Sequence, residues 1–234
     1  MTIKKSLLSW SSGKDSAWAL YMLRQRSDLE IAGLVTTMNQ LYRRVAIHAV
    51  RLELLQRQAE AVGLPLHIID LPYPCSNSQY EVVMEKFIGQ SRQQGIECMA
   101  FGDLFLTDIK EYRQAKLSGT GITPLFPIWL MPTDQLAREM ISNGLRAVVT
   151  CVDPKQLPAS FAGREFNEEF LSSLPADVDP CGERGEFHTF AFDGPMFSKP
   201  VNIEVGEITE REGFVYADVL PASSAPAARA NAGV

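Results

Sequence analysis

Cysteine is scarce in this sequence of 234 residues, and its spacing excludes several kinds of site. The four cysteines are Cys75, Cys98, Cys151 and Cys181, and no two of them form a C-x-x-C pair. Neither a zinc knuckle nor a thioredoxin-like redox pair is therefore indicated, and a disulfide scaffold is not expected at this cysteine density. We predict that the chain holds no metal ion through its own side chains alone.

Long apolar runs and an excess of positive charge are also missing. No run approaches the roughly 18–20 apolar residues that cross a bilayer, and the few around Leu7 and Leu8 are too short for a signal peptide. The net charge of −6 argues against a broad basic surface for duplex DNA. These absences predict a cytoplasmic protein that binds neither membrane nor DNA.

The composition, with 46% hydrophobic and 21% charged residues, is that of a globular protein. Its first part alternates short apolar strands with amphipathic helices. The predicted strands cover 6–10, 31–37, 66–70 and 98–101, and the predicted helices cover 15–26, about 47–62 and 80–88. This order predicts an α/β fold, with a Rossmann-like parallel sheet flanked by helices.

After about residue 120 the pattern changes to one of prolines, two short helices and separate strands. The helices are predicted at 133–143 and 166–174, and the strands at 146–152, 187–192, 201–208 and 214–220. We therefore divide the chain into an α/β domain (1–130), a smaller α+β region (131–220) and a disordered tail (221–234). The tail is rich in Ala, Ser and Pro and lacks large apolar groups.

The most informative segment lies between the first predicted strand and the first predicted helix. It reads Ser11-Ser12-Gly13-Lys14-Asp15-Ser16. At such a junction unpaired amides, the helix dipole, a lysine and hydroxyl donors all favour a bound oxyanion. It is not a Walker A loop, because Leu8 and Asp15 occupy positions where that motif needs Gly and Ser or Thr. The alternative is an ordinary capped helix start.

This loop resembles the S-G-G-x-D-S signature of the PP-loop ATP pyrophosphatases. Ser12 stands where that signature has its first glycine, so a positive φ angle there would strain it. In the superfamily the loop holds the β- and γ-phosphates of ATP as leaving pyrophosphate. Gly102 and Asp103, at the end of the fourth predicted strand, are expected to face the same cleft.

A second segment, residues 179–190, reads D-P-C-G-E-R-G-E-F-H-T-F. In a strand Glu186 and His188 point to one face, with Glu183 in the preceding turn, so carboxylates and an imidazole can meet where protons are exchanged. The alternatives are a solvated turn with a half-buried histidine, or a metal site that lacks a further firm ligand. Cys181 is either a thiol nucleophile or a small turn residue.

Together the two segments resemble the diphthine–ammonia ligase family of PP-loop ATPases, over roughly residues 5–198. The intermediate stretches Gly102-Asp103-Leu104, Phe126-Pro127-Ile128-Trp129 and Phe161-Ala162-Gly163-Arg164 agree with it. The resemblance implies an AMP-forming ligase in which ATP adenylates a carboxylate, pyrophosphate leaves and ammonia displaces AMP.

The resemblance also implies site residues and cofactors. The implied ATP-binding residues are Ser11, Ser12, Gly13, Lys14, Asp15, Ser16, Gly102 and Asp103. The implied catalytic residues are Lys14, Glu183, Glu186 and His188. The implied acceptor-binding residues are Glu183, Glu186, His188 and Thr189. Mg²⁺ is expected to bridge phosphate oxygens of ATP.

The acceptor stays open. The sequence looks like bacterial members, in which diphthamide is not expected, so the carboxylate belongs to an unidentified small molecule or protein side chain. The source of ammonia and the oligomeric state, a homo-oligomer included, are also open. Two alternative functions remain: an adenine-nucleotide-binding regulator without catalysis, and a PP-loop tRNA-modifying enzyme. The acidic net charge and the missing C-x-x-C pair count against the second alternative.

Overall fold

In a computed structural model, which describes residues 2–39 and 50–222, the chain forms two sheets. The first sheet is parallel, with strand order β3-β2-β1-β4-β5. Its strands are β1 (Lys4–Ser9), β2 (Leu29–Asn39), β3 (Leu66–Leu71), β4 (Cys98–Ala100) and β5 (Thr123–Leu125). Its helices are α1 (Lys14–Arg24), α2 (Leu52–Val62), α3 (Asn77–Gln93) and α4 (Thr107–Leu117). The predicted α/β fold with a parallel sheet flanked by helices is confirmed.

The strand order positions the phosphate loop. The chain runs from β1 outward to β3 and then crosses to β4 on the other side of β1. The carboxyl ends of β1 and β4 are therefore neighbours at the point where the order reverses, which is where ligands bind in open parallel sheets. The loop after β1 and the Gly102-Asp103 pair after β4 both lie at this edge.

The second sheet is antiparallel, with strand order β7-β6-β9-β8. Its strands are β6 (Arg146–Val152), β7 (Phe187–Asp193), β8 (Ile203–Arg211) and β9 (Phe214–Pro221). It is accompanied by α5 (Thr133–Ser142), α6 (Glu168–Ser173) and a 3-10 turn at Ala159–Phe161. The predicted α+β region with four strands is thus present, although where a domain boundary falls stays a prediction.

The two faces of the parallel sheet have separate cores. One face packs against α1, α2 and the second sheet in a continuous cluster that includes Trp18, Leu54 and Phe190. The other face packs against α3 and α4 in a smaller cluster that includes Ile88 and Met99. Neighbouring residues of β1 divide between the clusters, because side chains alternate along a strand.

Two elements were absent from the sequence-based prediction. Helix α4 has Leu117 as its buried residue and so shows no apolar stripe. Strand β5 has three residues and contains Pro124, which an edge strand tolerates because its amide side need not pair. The predicted start of the second helix and nearly all of the predicted tail lie outside the described residues. Among the residues described, no helix is long and apolar enough to span a bilayer.

Candidate active site

The phosphate loop is held in shape by its neighbours. Ser12 has a φ of 72°, which is the left-handed conformation that favours glycine, so the serine is strained there. Its carbonyl oxygen accepts hydrogen bonds from Gln58 Nε2 and from the Ala191 amide, both at 2.9 Å. These bonds from α2 and β7 offset the cost of a serine in this conformation.

Hydroxyl groups close the loop on itself. Ser11 Oγ donates to Ser16 Oγ at 3.2 Å and accepts from the Gly13 amide at 3.3 Å, and Ser16 Oγ donates to the Gly13 carbonyl at 2.9 Å. Ser12 Oγ is buried and has no hydrogen-bond partner within the described part of the chain. An unpartnered hydroxyl beside the first amides of α1 suits an oxyanion.

The end of β4 touches this helix start. A Cβ added at Gly102 would lie 3.1 Å from the carbonyl group of Asp15 and from the amide nitrogen of Ser16, so only a glycine fits without displacement. The Asp103 carboxylate accepts from Arg113 Nε at 2.9 Å and from its Nη2 at 3.3 Å. The loop and the Gly102-Asp103 pair are thus in direct contact.

The Lys14 ammonium lies in the protein interior, with 2% of the residue exposed. Nζ donates to Asp15 Oδ2 at 2.9 Å and to the Cys181 carbonyl, and it lies 5.5 Å and 5.3 Å from the ring centres of Phe166 and Phe187. Burial is the largest single influence and disfavours the charge, but Asp15, Cys181 and Glu183 together keep the pKa of Lys14 above its ordinary value. The ammonium therefore joins the phosphate loop to the 179–190 segment.

The 179–190 segment is organised by Asp179. Its Oδ1 accepts from Thr133 Oγ1 at 2.5 Å, its Oδ2 accepts from the Glu183 amide at 2.9 Å, and its own amide donates to Glu186 Oε1 at 3.0 Å. Glu186 is 2% exposed, and its Oε2 has no hydrogen-bond partner among the described residues. The turn is thereby fixed against the start of α5.

Glu183 brings this segment to the crevice. Its Oε1 accepts from the Leu104 amide at 2.7 Å, directly after the Gly102-Asp103 pair. Burial is the main cause that raises the pKa of Glu183 to about 7; the Leu104 amide opposes it, and the carboxylates of Asp15 and Asp103 add to it. A carboxyl group with this pKa can take up and release a proton near neutral pH.

The residues around His188 divide between two faces of β7. Thr189 Oγ1 accepts from the Lys14 amide at 3.1 Å, and Phe187 lies against the Lys14 ammonium. Since side chains alternate along a strand, the half-buried His188 lies on the opposite face. Of the predicted acceptor-side residues, the structure therefore brings Glu183 and Thr189 to the loop, connects Glu186 through Asp179, and places His188 apart from them.

The geometry of the site also bears on two alternatives raised by the sequence, a nucleophilic Cys181 thiol and a metal site. Cys181 is 2% exposed, and burial strongly raises the pKa of its thiol, so the reactive thiolate is disfavoured. Within the described ranges no three His, Cys, Asp or Glu side chains form a group that could hold a metal ion. The geometry thus favours the small turn residue for Cys181.

Comparison with known proteins agrees with the two motifs. The diphthamide synthase N-terminal domain matches residues 4–118, and the diphthamide synthase C-terminal domain matches residues 132–220. The chain belongs to the diphthamide synthase family. It is accordingly an ATP-dependent ligase or a related PP-loop enzyme, and the family implies use of ATP.

Relatives within the diphthamide synthase family have low sequence identity to this chain but align with most of its length. The diphthine–ammonia ligase of Homo sapiens is 25% identical over 236 residues, which cover 89% of this chain and 86% of the human protein. That of Danio rerio is 29% identical over 178 residues, or 69% of each protein. Among solved structures, the U34-tRNA thiolase NcsA from Methanococcus maripaludis has 16% identity and a TM-score of 0.39, over 61% of this chain and 58% of that one.

Three residues that shape the site of this diphthamide synthase family member were not identified from the sequence. Gln58 is fully buried and bridges Trp10, Ser12 and Ala191; the signal was a polar residue on the apolar face of a helix. Asp179 lies in the 179–190 segment but was not singled out. Arg113 was missed because α4 itself was not predicted.

Proposed function

We propose that the chain is an AMP-forming amide ligase that adenylates a carboxylate and amidates it with ammonia. The observation that carries this proposal is the contact between the two motif segments. Glu183 binds the Leu104 amide beside Gly102, and Gly102 touches the start of α1. A proton-exchanging carboxyl group therefore lies next to a loop suited to phosphates. The names of the relatives, diphthine–ammonia ligase, support the same chemistry.

ATP would bind along the edge formed by the phosphate loop and the end of β4. The loop residues Ser11–Ser16 would hold its phosphates through backbone amides and hydroxyls, with Gly102 and Asp103 forming the other wall. Asp15 is half-buried there, with 26% of its side chain exposed, whereas the Lys14 side chain is almost fully buried. We infer that Lys14 orients the distal segment, through the bond of its amide to Thr189 and the bond of its ammonium to Cys181.

Mg²⁺ fits this arrangement as a companion of the phosphates. Asp15 Oδ1 is buried without a hydrogen-bond partner in the described residues, so a carboxylate oxygen is available to a cation. When bound, the ion would neutralise charge on the phosphate oxygens. Asp15 would orient it, while its other oxygen stays paired with Lys14.

In the first step an oxygen of the acceptor carboxylate attacks the α-phosphorus of ATP. A phosphorus–oxygen bond forms, the bond to the β-phosphate breaks, and pyrophosphate leaves. In the second step the nitrogen of ammonia attacks the acyl carbon, the carbon–oxygen bond breaks and AMP leaves. Glu183, with a pKa of about 7, would accept the proton lost by the nitrogen. Thr189 would line the acceptor side, with Glu186 held behind it through Asp179, whereas His188 on the opposite face of β7 would not take part.

The acceptor is proposed only as a carboxylate, on a small molecule or a protein side chain. The relatives' name specifies diphthine for those proteins. In this chain the described site offers carboxylates and hydroxyls on the acceptor side, which suit ammonium and amide groups.

The decisive experiment measures products. Purified protein is incubated with Mg²⁺, ATP labelled at the α-phosphate, ¹⁵N-ammonium and an extract of the source cell. We expect labelled AMP and a ¹⁵N-amide in equal amounts, and we expect both to be lost in Glu183→Gln. The matched control is Glu204→Gln, an exposed glutamate of β8, which should behave as wild type.

Other outcomes would overturn the proposal. If ATP binds but no AMP forms, the chain is a nucleotide-binding regulator. If AMP forms only when tRNA is present and no ¹⁵N-amide appears, it is a tRNA-modifying enzyme.

A further inference from the structure

A large cleft lies between α3 and α4, on the face of the parallel sheet that the second sheet does not cover. Its volume is about 740 Å³, within the range of sites for small organic molecules. Buried Met99 and Phe101 form its floor, and Met84 and Ile88 of α3 form part of one wall. The interior is thus apolar, although the cleft opens to solvent.

A glycine keeps this cleft wide. Gly89 lies in the middle of α3, where glycine is less favourable than alanine. Its backbone is not in the left-handed conformation, and a Cβ added there would meet no atom within 4 Å. Neither the backbone conformation nor the packing therefore requires glycine at this position. Because Gly89 has no side chain, the cleft beside it stays open.

One end of the cleft offers a cation and a glycine-rich turn. The turn is Ser118-Gly119-Thr120-Gly121, with φ of 75° and 78° at its two glycines. The Arg92 guanidinium lies on it, since a Cβ at Gly121 would be 2.9 Å from Arg92 Nε. Among the described residues Arg92 has no ion pair. The other two cations of the lining, Lys116 and Arg113, are paired with Glu81 and Asp103.

The other end is aromatic. Tyr80 is half-buried there and Tyr112 is exposed, and the Arg113 guanidinium lies 4.5 Å from the ring centre of Phe101. Flat apolar groups pack well against such rings. We propose that the α3/α4 cleft is a second ligand site, which binds a small organic anion with its charged group at Arg92 and its flat apolar body over Met99.

This site is separate from the proposed amide ligase chemistry. The cleft lies on the α3/α4 face, whereas the 179–190 segment packs with the opposite face. The ion pair between Arg113 and Asp103 is the link to the crevice. Ligand binding in the cleft can therefore be measured without ATP and without the acceptor.

The test uses the full chain and the fluorescent probe 1-anilinonaphthalene-8-sulfonate, an aromatic sulfonate. We expect saturable binding of a single molecule and a rise in the thermal unfolding midpoint with probe concentration. Arg92→Gln should weaken binding about tenfold, because a charge-assisted contact is lost. Gly89→Leu should abolish it by filling the cleft. Leucine is a good helix former, so an unchanged or higher unfolding midpoint would show that this variant is folded.

Matched controls make the result specific. Val82→Leu changes an exposed residue of the same helix and should leave binding unchanged. 2-Naphthoate should displace the probe, whereas 2-naphthylmethanol and inorganic phosphate should not. Failure of the probe to bind the wild-type chain would overturn the proposal. Equal binding by folded Gly89→Leu, insensitivity to Arg92→Gln, or displacement by the neutral alcohol would overturn it as well.

Discussion

The two faces of the parallel sheet are covered in different ways. On one face α1, α2 and the second sheet form a continuous core, and polar side chains within it are tied by specific hydrogen bonds, such as those of Gln58. On the other face α3 and α4 cover a smaller core and leave an open cleft between them. We call the face under α1, α2 and the second sheet the closed face, and the face under α3 and α4 the open face. The closed face carries the contacts that shape the phosphate loop, and the open face has room for a ligand.

This difference shows how the second sheet contributes to the candidate active site. The phosphate loop has its shape because β7, α2 and the 179–190 segment hold it from the closed face. The Ser12 carbonyl, the Lys14 amide and the Lys14 ammonium each bind a residue far away in the sequence. Substitutions on the closed face should therefore cost more stability than similar ones on the open face.

The largest effect is expected for Lys14→Ala. It leaves the half-buried Asp15 carboxylate and the buried Cys181 carbonyl without their partner, and removing one member of a buried ion pair costs up to about 3–5 kcal/mol. Urea unfolding measures this loss. The exposed Lys86 of the open face is the control, and Lys86→Ala should change the free energy of unfolding by less than about 0.5 kcal/mol. Similar losses in the two variants would contradict the comparison.

A smaller loss is expected for Gln58→Leu. The substitution leaves Trp10 Nε1 and the carbonyls of Ser12 and Ala191 without the partner they have in the structure, at a cost of about 1–3 kcal/mol. The control is Gln56→Leu, at an exposed position of the same helix, with an expected change within about 0.5 kcal/mol. If Gln58→Leu is as harmless as its control, the glutamine does not support the loop.

The pH dependence of the proposed reaction tests Glu183. Its carboxylate is the form that accepts a proton, so kcat/KM should rise through an apparent pKa of about 7 and fall about tenfold per pH unit below it. His188→Gln should keep both the activity and this step. Loss of the step in an active His188→Gln variant would assign proton transfer to the histidine instead.

Glu183 also affects the free energy of unfolding, and its pKa fixes the direction in which this changes with pH. Its pKa is raised in the folded protein from 4.5 to about 7, so the folded state binds more protons than the unfolded state between these values. The contribution of Glu183 to stability is thus present below pH 4.5 and is lost as the pH rises through 7. Urea unfolding of Glu183→Gln should show a weaker decline over this window than the wild-type protein.

The smallest effect, and the one of opposite sign, is expected on the open face. Gly89→Ala should stabilise the protein by about 0.5–1 kcal/mol, because alanine favours the helix and its Cβ meets no atom. Gly63→Ala is the control on the closed face: Gly63 ends α2 with a φ of 69°, so alanine should destabilise there. A destabilising Gly89→Ala would mean that α3 needs the glycine for a reason other than the cleft.

Much of the fold could be predicted from the sequence because its signals are local. The amphipathic stripe of α2 ends at Gly63, and the short apolar strands of the first sheet are separated by helical segments. Helix α4 escaped prediction because its surface is polar on nearly every side, and β5 escaped because three residues carry no periodicity. The placement of individual site residues, Lys14 above all, depends on contacts across the sequence and was not predictable from spacing.

The sequence by itself determined the parallel α/β fold, the phosphate loop after β1 and membership of the diphthamide synthase family. It also marked Ser12 as a serine in a glycine-like position, because the loop pattern is local to a few residues. Only the tertiary structure decided that Lys14 is buried against Cys181, that Glu183 reaches Leu104 and that His188 lies on the other face of β7. These arrangements arise where two sheets pack together, and packing brings together residues whose distance in the chain conveys nothing about their distance in space.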